Sequence, residues 1–323
     1  MSSNDEEEVF DNSDLEELSA DDFPEYFEEF ANRLYHSSST APYPLPVDTQ
    51  EQERYRAQHN ALRLLIGRNY VGSIPQLLAP EPGRQKVVID IGTGRGEWPI
   101  EMAVEFPHVQ FHGLDIVPIS QRTDLPDNVQ FEIHDINEPT RFQEGSVDLV
   151  HARSVSMTVR DFRIIVQEAA RLLRPGGMFY SGEWGRFPSL HPDLNHDADL
   201  DTLAPHFVNF FNVVTPALAT RRGIHQISHL IPAMIRDSGL FSEITTQEFC
   251  MPIGPWQGDR RLKRCGSAYR ACIGRYMEAF RRLLGETGLN DAQMNELFEL
   301  AEQDMNEIPG LIGVFYTCYA RRS

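Results

Sequence analysis

The sequence predicts an α/β protein built on a doubly wound, mostly parallel sheet. Three observations carry this. From residue 86 onward, short apolar runs alternate with helical stretches, the pattern of parallel strands joined by helical crossovers. The first run, Val87-Val88-Ile89-Asp90-Ile91, is continuous rather than alternating, as a strand buried on both faces should be. It ends in Gly92-Thr93-Gly94-Arg95-Gly96, a glycine-rich bend set between a strand and the next helix.

Before that sheet, residues 1–35 read as an acidic, mobile tail. Thirteen of the 48 Asp and Glu residues fall in the first 30 positions, with none of the 29 Lys and Arg. Phe10, Leu15, Leu18, Phe23, Tyr26, Phe27 and Phe30 are interleaved with the acids. They allow an amphipathic helix near 14–34, through which the tail could dock on a protein partner. Residues 36–85 read as a Ser- and Pro-rich linker (36–48) and a helical lid. Its helix spans 48–70, opened by Asp48 as N-cap with Glu51 at the capping-box position.

Within 86–323 the expected strands are 87–91, 109–114, 129–133, 146–151 and 178–183. Helices at 97–106 and 160–174 join them, the second closed by the turn Arg174-Pro175-Gly176-Gly177. Beyond 190 the order becomes helix-rich, with helices at 225–238, 258–285 and 290–307 and strands at 242–250 and 310–320. Segments 186–225 and 252–308 are additions to the sheet.

Composition narrows the function. With 323 residues and 41% hydrophobic content, the chain can bury a sizeable core. Apolar runs stay short of the ~18 residues that a spanning helix needs, so no membrane partner is expected. The four cysteines show neither CxxC spacing nor clustered histidines, so no metal or disulfide framework is expected and a reducing compartment is the simplest reading. Cytoplasm is the expected location, with the nucleus open. Past the tail no excess of basic residues remains, which argues against nucleic acid as a partner.

The glycine bend separates two cofactor classes. A dinucleotide fingerprint needs glycine at position 97, where this chain has Glu97. The spacing is instead acid-x-Gly-x-Gly-x-Gly from Asp90, followed by acids at later strand ends: Asp115 in His112-Gly113-Leu114-Asp115-Ile116, and Asp135 in His134-Asp135-Ile136. This order resembles the class I, Rossmann-like S-adenosylmethionine-dependent methyltransferases. The resemblance implies seven strands with the last one antiparallel, and S-adenosylmethionine as cofactor. It implies that Asp90 lies by the methionine part, that Asp115 accepts the ribose hydroxyls and that Asp135 reaches the adenine. By the same resemblance the cofactor set is Tyr43, Asp90, Gly92, Thr93, Gly94, Gly96, Trp98, Asp115, Ile116, Asp135, Ile136, His151, Ala152 and Arg153.

A narrower likeness extends over about 43–320. Tyr43-Pro44-Leu45-Pro46-Val47-Asp48, Glu51 to Arg54 and His59 look like the lead-in of the LaeA-like fungal methyltransferases. Gly94-Arg95-Gly96-Glu97-Trp98-Pro99-Ile100-Glu101, Asp115-Ile116-Val117-Pro118 and Gly254-Pro255-Trp256 fit the same group. Many relatives carry Gly-Cys-Gly-Thr-Gly where this chain has Gly92-Thr93-Gly94-Arg95-Gly96, a change that leaves the backbone free. That family holds enzymes of secondary metabolism and regulators that work in nuclear complexes. The expected function is methylation of a small apolar or aromatic acceptor; a regulatory subunit acting through protein partners is the alternative.

Methyl transfer from a sulfonium needs alignment and a dry pocket more than acid–base chemistry. Tyr43, Trp98 and Trp184 could offer aromatic faces to the cation, or simply pack. For an oxygen nucleophile, the candidate bases are Glu183 and His151 at strand ends, although Glu183 could equally cap backbone and His151 contact adenine. His225 and His229 would share a helix face, and Phe207, Phe210 and Phe211 would roof the acceptor site or pack as core. His191, Asp193, His196 and Asp197 look metal-like but read as an exposed loop. Asp259 to Arg264 reads as a solvated helix face, with a nuclear-import signal as the other reading.

Overall fold

The structure, a computed structural model, describes residues 16–19, 21–119, 125–194 and 199–323. Strands β1 (Phe27–Phe30) and β2 (Arg33–His36) form a hairpin that turns through Ala31 and Asn32, at φ 49° and 59°. Such a two-residue turn needs left-handed backbone, which Asn tolerates. Over its described part, the helix expected near 14–34 is thus a 3-10 turn at Phe23–Tyr26 followed by this hairpin. Arg282 ties the hairpin down: it pairs with Glu28 and lies over the rings of Phe30 and Tyr35. The segment after it is also packed, with Pro42, Pro44 and Pro46 buried around a fully buried Leu45.

Helix α1 (Thr49–Ile66) starts where expected, with the Asp48 carboxylate accepting from Glu51 N at 3.0 Å, and stops at left-handed Gly67. There follow α2 (Ile74–Leu77), β3 (Lys86–Ile91), α3 (Glu97–Glu105), β4 (Val109–Asp115), β5 (Val129–Ile133) and β6 (Val147–Arg153). Next come α4 (Arg163–Leu172), β7 (Leu173–Trp184), β8 (Ser189–Leu190), α5 (Leu200–Leu203), α6 (Pro205–Arg222) and α7 (Ile231–Asp237). The chain finishes with β9 (Phe241–Pro252), α8 (Arg260–Ala279), α9 (Arg281–Gly285), α10 (Asp291–Glu307) and β10 (Leu311–Arg322).

The sheet runs β5-β4-β3-β6-β7-β10-β9, with β8 prolonging the β7 line beside β10. Strands β3 to β7 are parallel, and β10 lies antiparallel to both β7 and β9. This is the expected seven-strand arrangement with its last strand reversed. Side chains alternate across it. Ile89, Ile91, Val150 and Phe179 join the core that α4 and α7 complete, while Val88, Leu149 and Met178 join Trp98 and Met102 of α3. A third core, at one end of the sheet, holds Leu62, Phe207, Phe210, Cys265, Phe280, Phe298 and Phe315. It joins α1 to the two added helical segments.

Three local expectations differ. The helix expected at 225–238 begins only at Ile231, because Pro232 occupies its first turn; His225 and His229 lie exposed before it and share no helix face. The helix expected at 258–285 breaks at Phe280 into α8 and α9. The turn at Arg174 to Gly177 is absorbed into β7, where pairing with β6 slips between Val147 and Leu149.

Candidate active site

β3 leads into the glycine bend, and its neighbours β4 and β6 lie on opposite sides of it. In such sheets a crevice opens at the carboxyl edge where crossovers run to opposite faces. The bend is fastened to β4: Thr93 N donates to Leu114 O at 2.9 Å, and Gly94 N donates to Asp115 Oδ2 at 2.7 Å. Gly96 caps α3 in the left-handed region at φ 75°, and a Cβ there would collide with the ring of Phe131. Gly94 has the opposite surroundings. At φ 59° it lines the cleft, with nothing within 4 Å of where a Cβ would stand, so its backbone is open to a ligand.

That cleft, with the solvent at its mouth counted, spans about 1130 Å³. Of the expected cofactor residues, Tyr43, Asp90, Gly92, Thr93, Gly94, Trp98, Asp115, Ile116 and Arg153 line it. Asp115 is the strongest polar feature. Burial pushes its carboxyl up to about 6, against the pull of the Gly94 and Val117 amides. Asp90 accepts from Thr93 Oγ1 at 2.7 Å and lies 2.6 Å from His151 Nδ1. Arg153, its pKa lowered by burial, points to His59 of α1 at 2.9 Å. His59 in turn faces Glu101 of α3 at 3.3 Å.

The remaining expected residues stand elsewhere. His151 is a correction: it does not line the cleft but lies behind Asp90, only 1% exposed. Its ring is stacked between Trp98, at 3.6 Å between centroids, and Tyr180, at 4.9 Å. Burial lowers its pKa, which favours the neutral ring, and Nδ1 faces Asp90. It positions that carboxylate and reaches neither cavity. Asp135 also misses the cleft. Its oxygens are taken by Thr40, Ser38 and Asn137, because the segment after the hairpin crosses there. Ile136 and Ala152 are buried in the core beneath, and Gly96 acts as helix cap.

Sequence reasoning missed one wall. Glu51, Gln52, Tyr55, Gln58 and His59 of α1 all line the cleft. The spacing of polar residues along one side of α1 is their signal; the sequence marks Glu51 only as a capping residue, and Glu51, Gln52 and His59 only as part of a family-like lead-in.

A second cavity, about 750 Å³ with the solvent at its mouth counted, adjoins the first, sharing Tyr55, Gln58, Ser154 and Trp184 with it. Phe207 and Phe211 of α6, Tyr269 and Tyr276 of α8, and Glu183 and Arg186 around the end of β7 form its walls. Phe210 points instead into the core. Glu183 is 1% exposed, and its Oε1 accepts from Val155 N at 2.7 Å. Burial pushes its carboxyl up to about 7, opposed by hydrogen bonds from Val155 and Ser156. Trp184 stacks on Tyr269 at 4.6 Å.

Among the described residues no cluster of His, Cys, Asp or Glu could hold a metal ion, and no helix is long and apolar enough to cross a membrane. His191 lies 3.9 Å from an exposed Asp193, whereas His196 and Asp197 fall outside the described residues.

The family model described as a methyltransferase domain matches residues 56–215. The chain is 26% identical over 292 residues to the secondary metabolism regulator laeA of Coprinopsis cinerea, covering 89% of this chain and 69% of that one. It is 29% identical over 253 residues to methyltransferase pytC of Aspergillus terreus (77% and 72% covered). To methyltransferase str2 of Strobilurus tenacellus it is 24% identical over 286 residues (88% and 95% covered). On these likenesses, and on a crevice whose glycine bend falls within the matched residues, the chain is an S-adenosylmethionine-dependent methyltransferase of the class I fold, similar in sequence to the LaeA-like group.

Proposed function

We propose that the chain methylates a small, largely aromatic acceptor held in the second cavity, with S-adenosylmethionine in the glycine-loop cleft. One observation carries this reading: the two cavities meet across Tyr55, Gln58, Ser154 and Trp184. In-line displacement needs donor and acceptor on opposite sides of one short, dry gap.

The cleft fits the cofactor by its chemistry. Asp90 suits the ammonium of the methionine part and Arg153 its carboxylate. Asp115 can accept from the ribose hydroxyls, and Ile116 and Val117 offer apolar surface for the base. Tyr43 and Trp184 present ring faces suited to a cation. When bound, S-adenosylmethionine supplies a methyl group on a sulfonium, which the acceptor displaces as the neutral thioether leaves.

An acceptor hydroxyl must lose its proton, and Glu183 is the acid that lines the acceptor cavity. Held near 7, it passes between carboxyl and carboxylate at neutral pH and can take that proton. Turnover should therefore rise with pH through about 7. Glu183→Gln should cut kcat roughly a hundredfold with little change in KM. Unchanged turnover would assign Glu183 to holding the Val155–Ser156 backbone alone. The same shift bears on stability. A carboxyl raised from 4.5 to about 7 keeps a proton that the unfolded chain releases, so stability should fall as pH climbs across that window. The Gln variant should flatten that fall.

The test of the whole reading is a labelled-methyl transfer screen over phenolic and other aromatic metabolites. Cofactor binding without transfer to any of them would favour the alternative, a regulatory subunit acting through protein partners. That alternative draws on the acidic run in 1–30 and on the regulator among the relatives. A pull-down with and without residues 1–22 separates the two.

A further inference from the structure

We infer that the acceptor cavity is built for a substrate that carries a carboxylate, anchored by Arg186 on the side away from the methyl donor. This rests on the reading of the second cavity as the acceptor site. Arg186 stands two residues past the end of β7 and is only 8% exposed. It lines the second cavity and not the cofactor cleft. Its Nη2 donates to His225 O, while Nη1 has no hydrogen-bond partner. Among the described residues, no carboxylate lies within ion-pair distance of it.

The cavity's other buried guanidinium shows what a closed arrangement looks like. Arg54 is held by Glu51 at 2.6 Å and by Gln58 at 2.6 Å. Arg186 has no such ion pair: Glu183, the acid of the cavity wall, acts on it by charge alone, and its Oε1 accepts from Val155 N instead. A buried cation without a partner is costly and persists where something else completes it. A second donor repeats the pattern: Trp184 Nε1 is buried without a partner on the wall shared by both cavities.

A neutral aromatic guest would leave the guanidinium as it stands. A carboxylate would take a charge-assisted bond from Nη1 and neutralise the one unpaired cation. A dianion such as a phosphate would bring more charge than the cavity can match. Because Arg186 does not reach the cofactor cleft, the carboxylate is the handle, and a different atom, near Trp184, receives the methyl group.

The full chain, saturated with S-adenosylhomocysteine, is titrated calorimetrically with 4-hydroxycinnamate, 4-hydroxyphenylacetate and indole-3-acetate, and with the carboxamide of each. At least one acid should bind tenfold or more tightly than its amide. Arg186→Met should erase that preference while leaving amide and S-adenosylhomocysteine affinities in place; Arg186→Lys, which keeps the charge, should retain part of it. Equal binding of acids and amides, no binding of any acid, or a preference that survives in Arg186→Met would overturn the inference. If S-adenosylhomocysteine binds and only the acid preference is missing, the carboxylate handle alone falls. If S-adenosylhomocysteine gives no heat, the reading of the cleft falls with it.

Discussion

Asp115→Ala should weaken S-adenosylmethionine binding by between about a hundredfold and ten-thousandfold. The carboxylate lies half-buried at the end of β4, with Oδ2 fixed by Gly94 N at 2.7 Å. It has the acceptor capacity for both ribose hydroxyls, and bonds to a charged group contribute roughly 1.5–3 kcal/mol each, tenfold per 1.4 kcal/mol. Alanine also frees Gly94 from its anchor, so part of the loss would come from a looser bend. The direction of the pH dependence follows from the raised pKa. A hydroxyl donor favours the ionised carboxylate, which protonation removes below about 6. Affinity should fall between pH 7 and pH 5 in the native chain and stay flat in Asp115→Asn. Calorimetry across that range reads both effects; an unaltered Kd in Asp115→Ala would remove the ribose assignment.

Glu51→Ala should be strongly destabilising. Glu51 and Arg54 form an ion pair at 2.6 Å with side chains only 2% and 3% exposed. The guanidinium sits 4.2 Å from the Tyr55 ring and 5.4 Å from that of Tyr276, so α1 meets α8 through this pair. Removing the acid leaves a buried cation with Gln58 alone, a loss of about 3–5 kcal/mol. In a chain of this size that corresponds to roughly 6–15 °C in Tm. Replacing both with apolar residues, Glu51→Leu with Arg54→Met, should recover most of it, because the penalty belongs to the unpaired charge. A thermal scan decides: a fall of no more than a degree or two in Glu51→Ala would mean that water reaches Arg54.

The sheet was legible because its signals are local. The apolar run before Asp90 and the glycine spacing after it each fit within a few residues, and β3 and its bend follow from them. What stayed hidden depends on distant partners. Nothing around Arg186 shows that its side chain is buried or that His225 O will meet it, 39 positions on. Asp135 looked free because the residues that occupy it, Ser38 and Thr40, come from a segment read as a linker. His151 had the right position on its strand, yet the pairing that turns it toward Asp90 and the ring of Trp98 spans three elements. The misread helices failed for a nearer reason: Pro232 and the Ala31–Asn32 turn outweighed an apolar periodicity that alone favoured longer helices.

Strand β10 lies between β7 and β9, and all three are long. During synthesis, then, both of those strands must wait with bare edges until Leu311–Arg322 has cleared the ribosome. Two rows of unpaired amides and carbonyls are exposed together in that interval, and the Phe315 ring of the end core is missing. Nascent chains of this protein should lean on chaperones until β10 emerges, and a chain cut before Leu311 would leave an aggregating product instead of an enzyme.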